Sequence, residues 1–89
     1  MSDYQIVYTK KAAMAIPKLK AAHLDKKVLG LIKILENNPF QNPPPYEKLV
    51  GDMKGAYSRR INIQHRLVYM VDEDKKVIKI VSLWTHYEN

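Results

Sequence analysis

The hydrophobic period switches from helical to strand-like at Ala56, and that switch restricts the folds open to this chain. Leu24, Val28, Leu31, Ile32 and Leu35 recur at i, i+4, i+7, i+8 and i+11, with Lys26, Lys27, Lys33 and Glu36 on the other side. That pattern specifies an amphipathic helix. From Ala56 onward the period becomes two. Residues 57–63, 66–71 and 77–84 read as three strands, joined by a tight turn around Gln64-His65 and a polar hairpin loop at Asp72-Glu73-Asp74-Lys75. Helical and extended patterns are segregated rather than alternating, which predicts an α+β domain.

The N-terminal third completes this outline. Tyr4-Gln-Ile-Val-Tyr8 is rich in β-branched and aromatic residues and predicts a first strand. Thr9 is a candidate cap for a helix with Ala12, Ile16, Leu19 and Ala15 on one stripe, and Pro17 is expected to kink or end it near Ile16. His23 or Asp25 opens the second helix, and Asn37-Asn38-Pro39 stops it. Residues 39–46 are a stiff Pro-rich loop, and 46–50 is expected to hold a turn of helix. The predicted architecture has two N-terminal helices on one face of a twisted, mainly antiparallel four-stranded sheet, in the order β-α-α-β-β-β. The first strand, cut off from the meander by both helices, is expected to pair parallel to one of its strands. The other face of the sheet is left partly open, with Arg59, Arg66 and His86 as candidates to line it.

Bulk properties narrow the function. At 89 residues the chain is read as one domain, and a domain of that size buries only about 60–65% of its unfolded surface. No apolar run nears the roughly 20 residues of a membrane span. Met1-Ser2-Asp3-Tyr4 lacks the features of a signal peptide, so a cytoplasmic location is expected. There is no cysteine, hence no disulfide framework and no thiolate chemistry. Fifteen basic residues against nine acidic give +6 and a pI near 9.6, a charge that favours a polyanion or an acidic protein partner.

The side chains available for chemistry exclude several classes. The acidic run 72–74 sits in a hairpin loop beside Lys75 and Lys76, and His23, His65 and His86 lack metal-ligand spacing. Gly30, Gly51 and Gly55 do not form a phosphate loop. No local signature supports a Ser-His-Asp triad. Acid–base cleavage of RNA, with the 2′-hydroxyl as nucleophile, needs a base, cations for the phosphorane and an acid for the leaving oxygen. Glu47, after the prolines 43–45, is a candidate base. Arg59 and Arg66 lie on adjacent predicted strands, and guanidinium forks suit phosphate oxygens. Arg60, Lys48 and Lys54 add positive charge nearby. His86 titrates near neutrality and is a candidate acid, with Tyr87 beside it to orient a phosphate or stack on a base. Each also has a plain structural role open to it: a solvated glutamate, an Arg-Arg pair with one member exposed and one covering the sheet, an edge-strand His-Tyr. On spacing alone the reading stops at a basic α+β domain with RNA as a candidate ligand.

The runs Tyr57-Ser-Arg-Arg-Ile, His65-Arg-Leu-Val-Tyr69 and His86-Tyr87, preceded by Asn38-Pro-Phe40, Glu47-Lys-Leu49 and Gly55, resemble the YoeB/Txe family of toxins from bacterial type II toxin–antitoxin modules, within the RelE superfamily. The resemblance spans roughly residues 24–87. It implies a ribosome-dependent endoribonuclease that enters the A site, cuts mRNA without metal or cofactor and halts translation. By the same resemblance Glu47 is the general base, Arg66 the phosphate-binding arginine with Arg59 an added contact, His86 the general acid and Tyr87 the terminal tyrosine. Arg60, Lys48 and Lys54 are further candidates for RNA contact. The implied partners are a cognate antitoxin with an acidic C-terminal segment, the ribosome with its mRNA, and operator DNA through the antitoxin complex. A second copy of the chain is a further candidate, and no membrane is involved. Glu88 and Asn89 extend beyond Tyr87, Val50 stands where relatives often carry lysine, and Ala56 stands at an aromatic position. Two alternatives stay open: a non-catalytic RNA- or DNA-binding module or degenerate toxin, and a gyrase-directed relative, a branch that lacks the Glu…Arg…His-Tyr set.

Overall fold

The computed structural model describes residues 3–85. The elements are β1 (Gln5–Tyr8), α1 (Lys10–Ala21), α2 (Asp25–Asn37), β2 (Glu47–Lys48), a single 3-10 turn (Gly51–Met53), β3 (Ala56–Arg60), β4 (Arg66–Asp72) and β5 (Val77–Thr85). They form one five-stranded sheet in the order β1-β5-β4-β3-β2. β1 pairs parallel to β5, an arrangement that needs a long crossover such as the two intervening helices supply, and the other pairs are antiparallel.

Thr9 caps α1 by accepting the Ala12 amide at 3.1 Å, and its hydroxyl donates to the Val81 carbonyl at 2.8 Å. One residue thus stops β1, starts α1 and ties both to β5. α1 buries Ala12, Ala15 and Leu19, and α2 buries Val28, Leu31, Ile32 and Leu35. These meet Ile61, Leu67, Tyr69, Ile78, Ile80 and Leu83 from the sheet side.

Three expectations need correction. Pro17 does not end α1, which runs to Ala21. An interior proline costs a helix roughly 3 kcal/mol, but stopping near Ile16 would leave Leu19 outside the buried stripe. Burying a leucine recovers about 1.5–3 kcal/mol, and Leu19 is almost wholly enclosed. The stripe is Ala12, Ala15 and Leu19, with Ile16 turned outward. Residues 46–50 hold no helical turn. Glu47 and Lys48 pair with Ser58 and Tyr57, making a fifth, edge strand, and the helical turn comes later. The strand expected over 57–63 stops at Arg60. The Asn62 side-chain oxygen accepts the Gln64 and His65 amides at 2.8 and 2.6 Å, and the Ile61 amide donates to the His65 carbonyl at 2.9 Å. This local ring of bonds replaces the ladder.

Candidate active site

Strand alternation sorts the C-terminal residues onto two faces. On the helix-facing side of β3 and β4, Tyr57 lies opposite Tyr69 and Arg59 opposite Leu67. On the other side, Ser58 lies opposite Val68, Arg60 opposite Arg66, and Glu47 of β2 opposite Ser58. The sheet therefore gathers Glu47, Ser58, Arg60 and Arg66 on the face away from the helices.

Two of the proposed site residues meet directly. Arg66 Nη1 donates to Glu47 Oε1 at 2.8 Å and to Ser58 Oγ at 3.3 Å. The Arg66 side chain is 25% exposed and that of Glu47 66%. An ion pair this open to water contributes little to stability and opens easily to a competing anion. Arg66 sits where β4 and β5 lose regular register, between the Arg66–Thr85 and Val68–Ser82 pairs. Such irregularities re-aim strand side chains. Arg60 is exposed at the end of β3 and directly opposite Arg66, so two guanidinium-bearing residues stand side by side next to one carboxylate. Sequence reasoning did not single out Ser58, although period-two counting from Arg60 puts it on this face.

Arg59, proposed as a phosphate contact, is a correction. It is fully buried, 0% exposed, on the helix-facing side of β3. Its Nη1 donates to the Pro44 carbonyl at 2.5 Å, and its Nη2 to the carbonyls of Pro39 and Gln41, both at 2.9 Å. The guanidinium carbon lies 5.0 Å from the Tyr46 ring centroid and 5.9 Å from that of Tyr69. A buried charge must be solvated by something, and here backbone carbonyls and aromatic faces do it. Hydrogen bonds from a charged group contribute about 1.5–3 kcal/mol each. With its outer nitrogens committed to the Pro-rich loop, Arg59 has no face to offer RNA.

Tyr69 ties the same loop, donating its hydroxyl to the Pro39 carbonyl at 2.7 Å. Burial pushes this hydroxyl up to about 12, against a smaller opposing pull from the Arg59 charge. The folded state thus holds the proton more tightly than the unfolded chain, whose tyrosine titrates near 10.0. That contribution to stability is complete below pH 10 and drains away as pH rises through about 12. In urea unfolding, wild type is expected to lose about 2 kcal/mol more than Tyr69→Phe between pH 9 and pH 11.5. Equal losses in the two proteins would refute this.

Lys48 and Lys54 are exposed and line a different recess at the β2 edge, with Leu49, Val50, Gly51, Gly55, Ala56 and Tyr57. Neither Glu47 nor Arg66 lines it. His86 and Tyr87 lie outside the described residues. The last described residue, Thr85, pairs with Arg66. His65 stacks on Trp84 with ring centroids 3.9 Å apart and planes 20° apart, fastening the β3–β4 connection to the end of β5. Among the described residues no three His, Cys, Asp or Glu side chains are grouped to hold a metal ion, and no helix is long and apolar enough to cross a membrane.

Comparison with known proteins adds to this geometry. Residues 3–87 match the family described as "YoeB-like toxin of bacterial type II toxin-antitoxin system". A Toxin YoeB from Synechocystis is 41% identical over 69 residues, covering 72% of this chain and 77% of that protein. Among solved structures, the YoeB dimer from Staphylococcus aureus superposes with a TM-score of 0.80 at 35% identity, covering 97% of this chain and all of that one. The YoeB-YefM complex from the same organism gives 0.79 at 34%, covering 94% and 98%. With a family match over residues 3–87, a relative 41% identical and superposition on solved YoeB chains at TM-scores of 0.79 and 0.80, this chain belongs to the YoeB-like toxins of bacterial type II toxin–antitoxin systems.

Proposed function

We propose that this toxin is a ribosome-dependent endoribonuclease that cuts mRNA in the A site. The observation carrying the proposal is the 2.8 Å contact between Glu47 and Arg66, with Arg60 in the adjoining position. A carboxylate and two guanidinium-bearing residues share one sheet face, which supports reading them as base and phosphate-binding cations.

The mechanism follows from what each group can do. An incoming phosphate competes for Arg66 and draws it off the Glu47 carboxylate. Glu47 then takes the proton from the ribose 2′-hydroxyl, and the 2′-oxygen attacks the adjacent phosphorus. Arg66 and Arg60 stabilise the charge that builds on the phosphorane oxygens. The bond to the 5′-oxygen breaks, and His86 donates the proton that oxygen needs, leaving a 2′,3′-cyclic phosphate and a 5′-hydroxyl. His86 follows Thr85 directly in sequence, and Thr85 pairs with Arg66, which supports the role of acid. Tyr87, next along the chain, orients the phosphate or stacks on a base. Lys48 and Lys54 widen the positive surface for the RNA. The scheme uses no metal ion and no cofactor.

The proposed setting is the bacterial cytoplasm. The proposed restraint is a cognate antitoxin with an acidic segment, to which the net charge of +6 is complementary. YoeB from S. aureus has been solved both with YefM and as a dimer, and both associations are proposed for this chain. Contact with operator DNA is proposed to run through the antitoxin complex.

Mapping mRNA ends on purified translating ribosomes tests the function. Added toxin is expected to produce new 5′-hydroxyl ends within the A-site codon. Salt-sensitive RNA binding with intact transcripts would favour a non-catalytic binding module instead.

A further inference from the structure

We propose that Arg59 is a positioning residue for Glu47: by clamping the 39–46 loop from inside, it sets where the carboxylate meets Arg66. The inference rests on the reading of Glu47 as the base.

The loop has little of its own to hold it. Within residues 39–46, Phe40 and Gln41 are tied by their amides to Asn38, and the Gln41 side chain donates to the Pro43 carbonyl. Three prolines at 43–45 supply no amide donors. The carbonyls of residues 39, 41 and 44 instead converge on one buried guanidinium. Tyr46, the residue immediately before Glu47, lays its ring against the same cation and packs on Tyr57 and Phe40 at 5.9 and 6.0 Å between centroids. The anchor and the base are also linked through β3. Glu47 pairs with Ser58, the neighbour of Arg59, and only two residues of β2 make that pairing. So short a strand cannot fix its own position. Arg59 grips the loop on the inner face while Glu47 projects from the outer one.

A lysine at this position keeps the charge but has a single ammonium in place of the planar fork, and so cannot reach three separated carbonyls in the same way. Arg59→Lys is expected to lower the single-turnover cleavage rate on translating ribosomes at least tenfold, with the half-saturating ribosome concentration within about twofold of wild type. In a Glu47→Ala background the same substitution is expected to have no further effect, because its route of action is already gone. Amide exchange in the free protein should accelerate at least tenfold at Gln41 and Leu49, while Thr9, bonded to Ile80 across β1 and β5, stays protected. A multiplicative loss in the Glu47→Ala background, unaltered cleavage, or unaltered loop exchange would each overturn the proposal. Should Arg59→Lys fail to fold, Tyr46→Leu, which removes one aromatic face from the cation at a half-buried position, is judged by the same readouts. If wild type itself does not cleave mRNA, the enzymatic reading falls. The loop exchange then still decides whether Arg59 holds the segment before Glu47.

Discussion

Glu47→Gln is expected to lower the single-turnover rate of mRNA cleavage on translating ribosomes about 10²–10⁴-fold, the usual range for removing a general base. The amide has nearly the same shape as the carboxylate, and its oxygen can still accept from Arg66, so the fold and the neighbouring contact of Arg66 with Ser58 are retained. What is lost is the negative charge and the ability to take a proton. Ribosome affinity should therefore change by less than about threefold, and the loss should fall on the chemical step. Arg66→Ala is a useful contrast, since it removes a group that both binds the phosphate and stabilises the transition state, and should affect both parameters. Retention of more than a tenth of wild-type activity by Glu47→Gln would remove Glu47 from the role of base and return it to a surface ion pair.

Leu35→Ala is expected to cost 2–5 kcal/mol of folding stability, the range for emptying a fully buried leucine site. Leu35 has no exposed surface and sits in the last turns of α2, in the cluster shared with Ala12, Ile80 and Leu83. The consequence is large because the reserve is small. At 0.05–0.15 kcal/mol per residue, a chain of this length has roughly 4–13 kcal/mol in total. Urea unfolding followed by circular dichroism measures the effect, and a loss below 1 kcal/mol would mean that the helix–sheet interface collapses around the gap. Leu29→Ala on the same helix, at an exposed position, should change stability by less than about 0.5 kcal/mol.

The contrast between those leucines was legible in the sequence. The 3.6-residue stripe of Leu24, Val28, Leu31, Ile32 and Leu35 specifies both the helix and its buried side, since burial follows periodicity wherever a helix lies on a sheet. The period-two stretches likewise specify the meander, and Thr9 its helix cap. Parallel pairing of β1 was an expectation the two intervening helices allowed, since they supply the crossover a parallel pair needs. On the functional side, the motif around Arg66 and the position of Glu47 were legible through resemblance, and the structure brings those two into contact.

What the chain could not show locally was decided by contacts between distant segments. Alternation says that one of Arg59 and Arg60 faces inward, but not which one. The answer depends on the loop at 39–46, whose carbonyls, about twenty residues upstream, solvate the buried charge of Arg59. Two-residue β2 carries no period to read; it exists because β3 offers a free edge to Glu47 and Lys48. Pro17 stays inside α1 because Leu19 has a core to enter, a gain that arises only once the sheet is in place. Period and side-chain type are properties of neighbours along the chain, so they determined the elements and their buried faces. The inner arginine, the edge strand and the meeting of Glu47 with Arg66 depend on energies between segments far apart in sequence, and only the tertiary structure settled them.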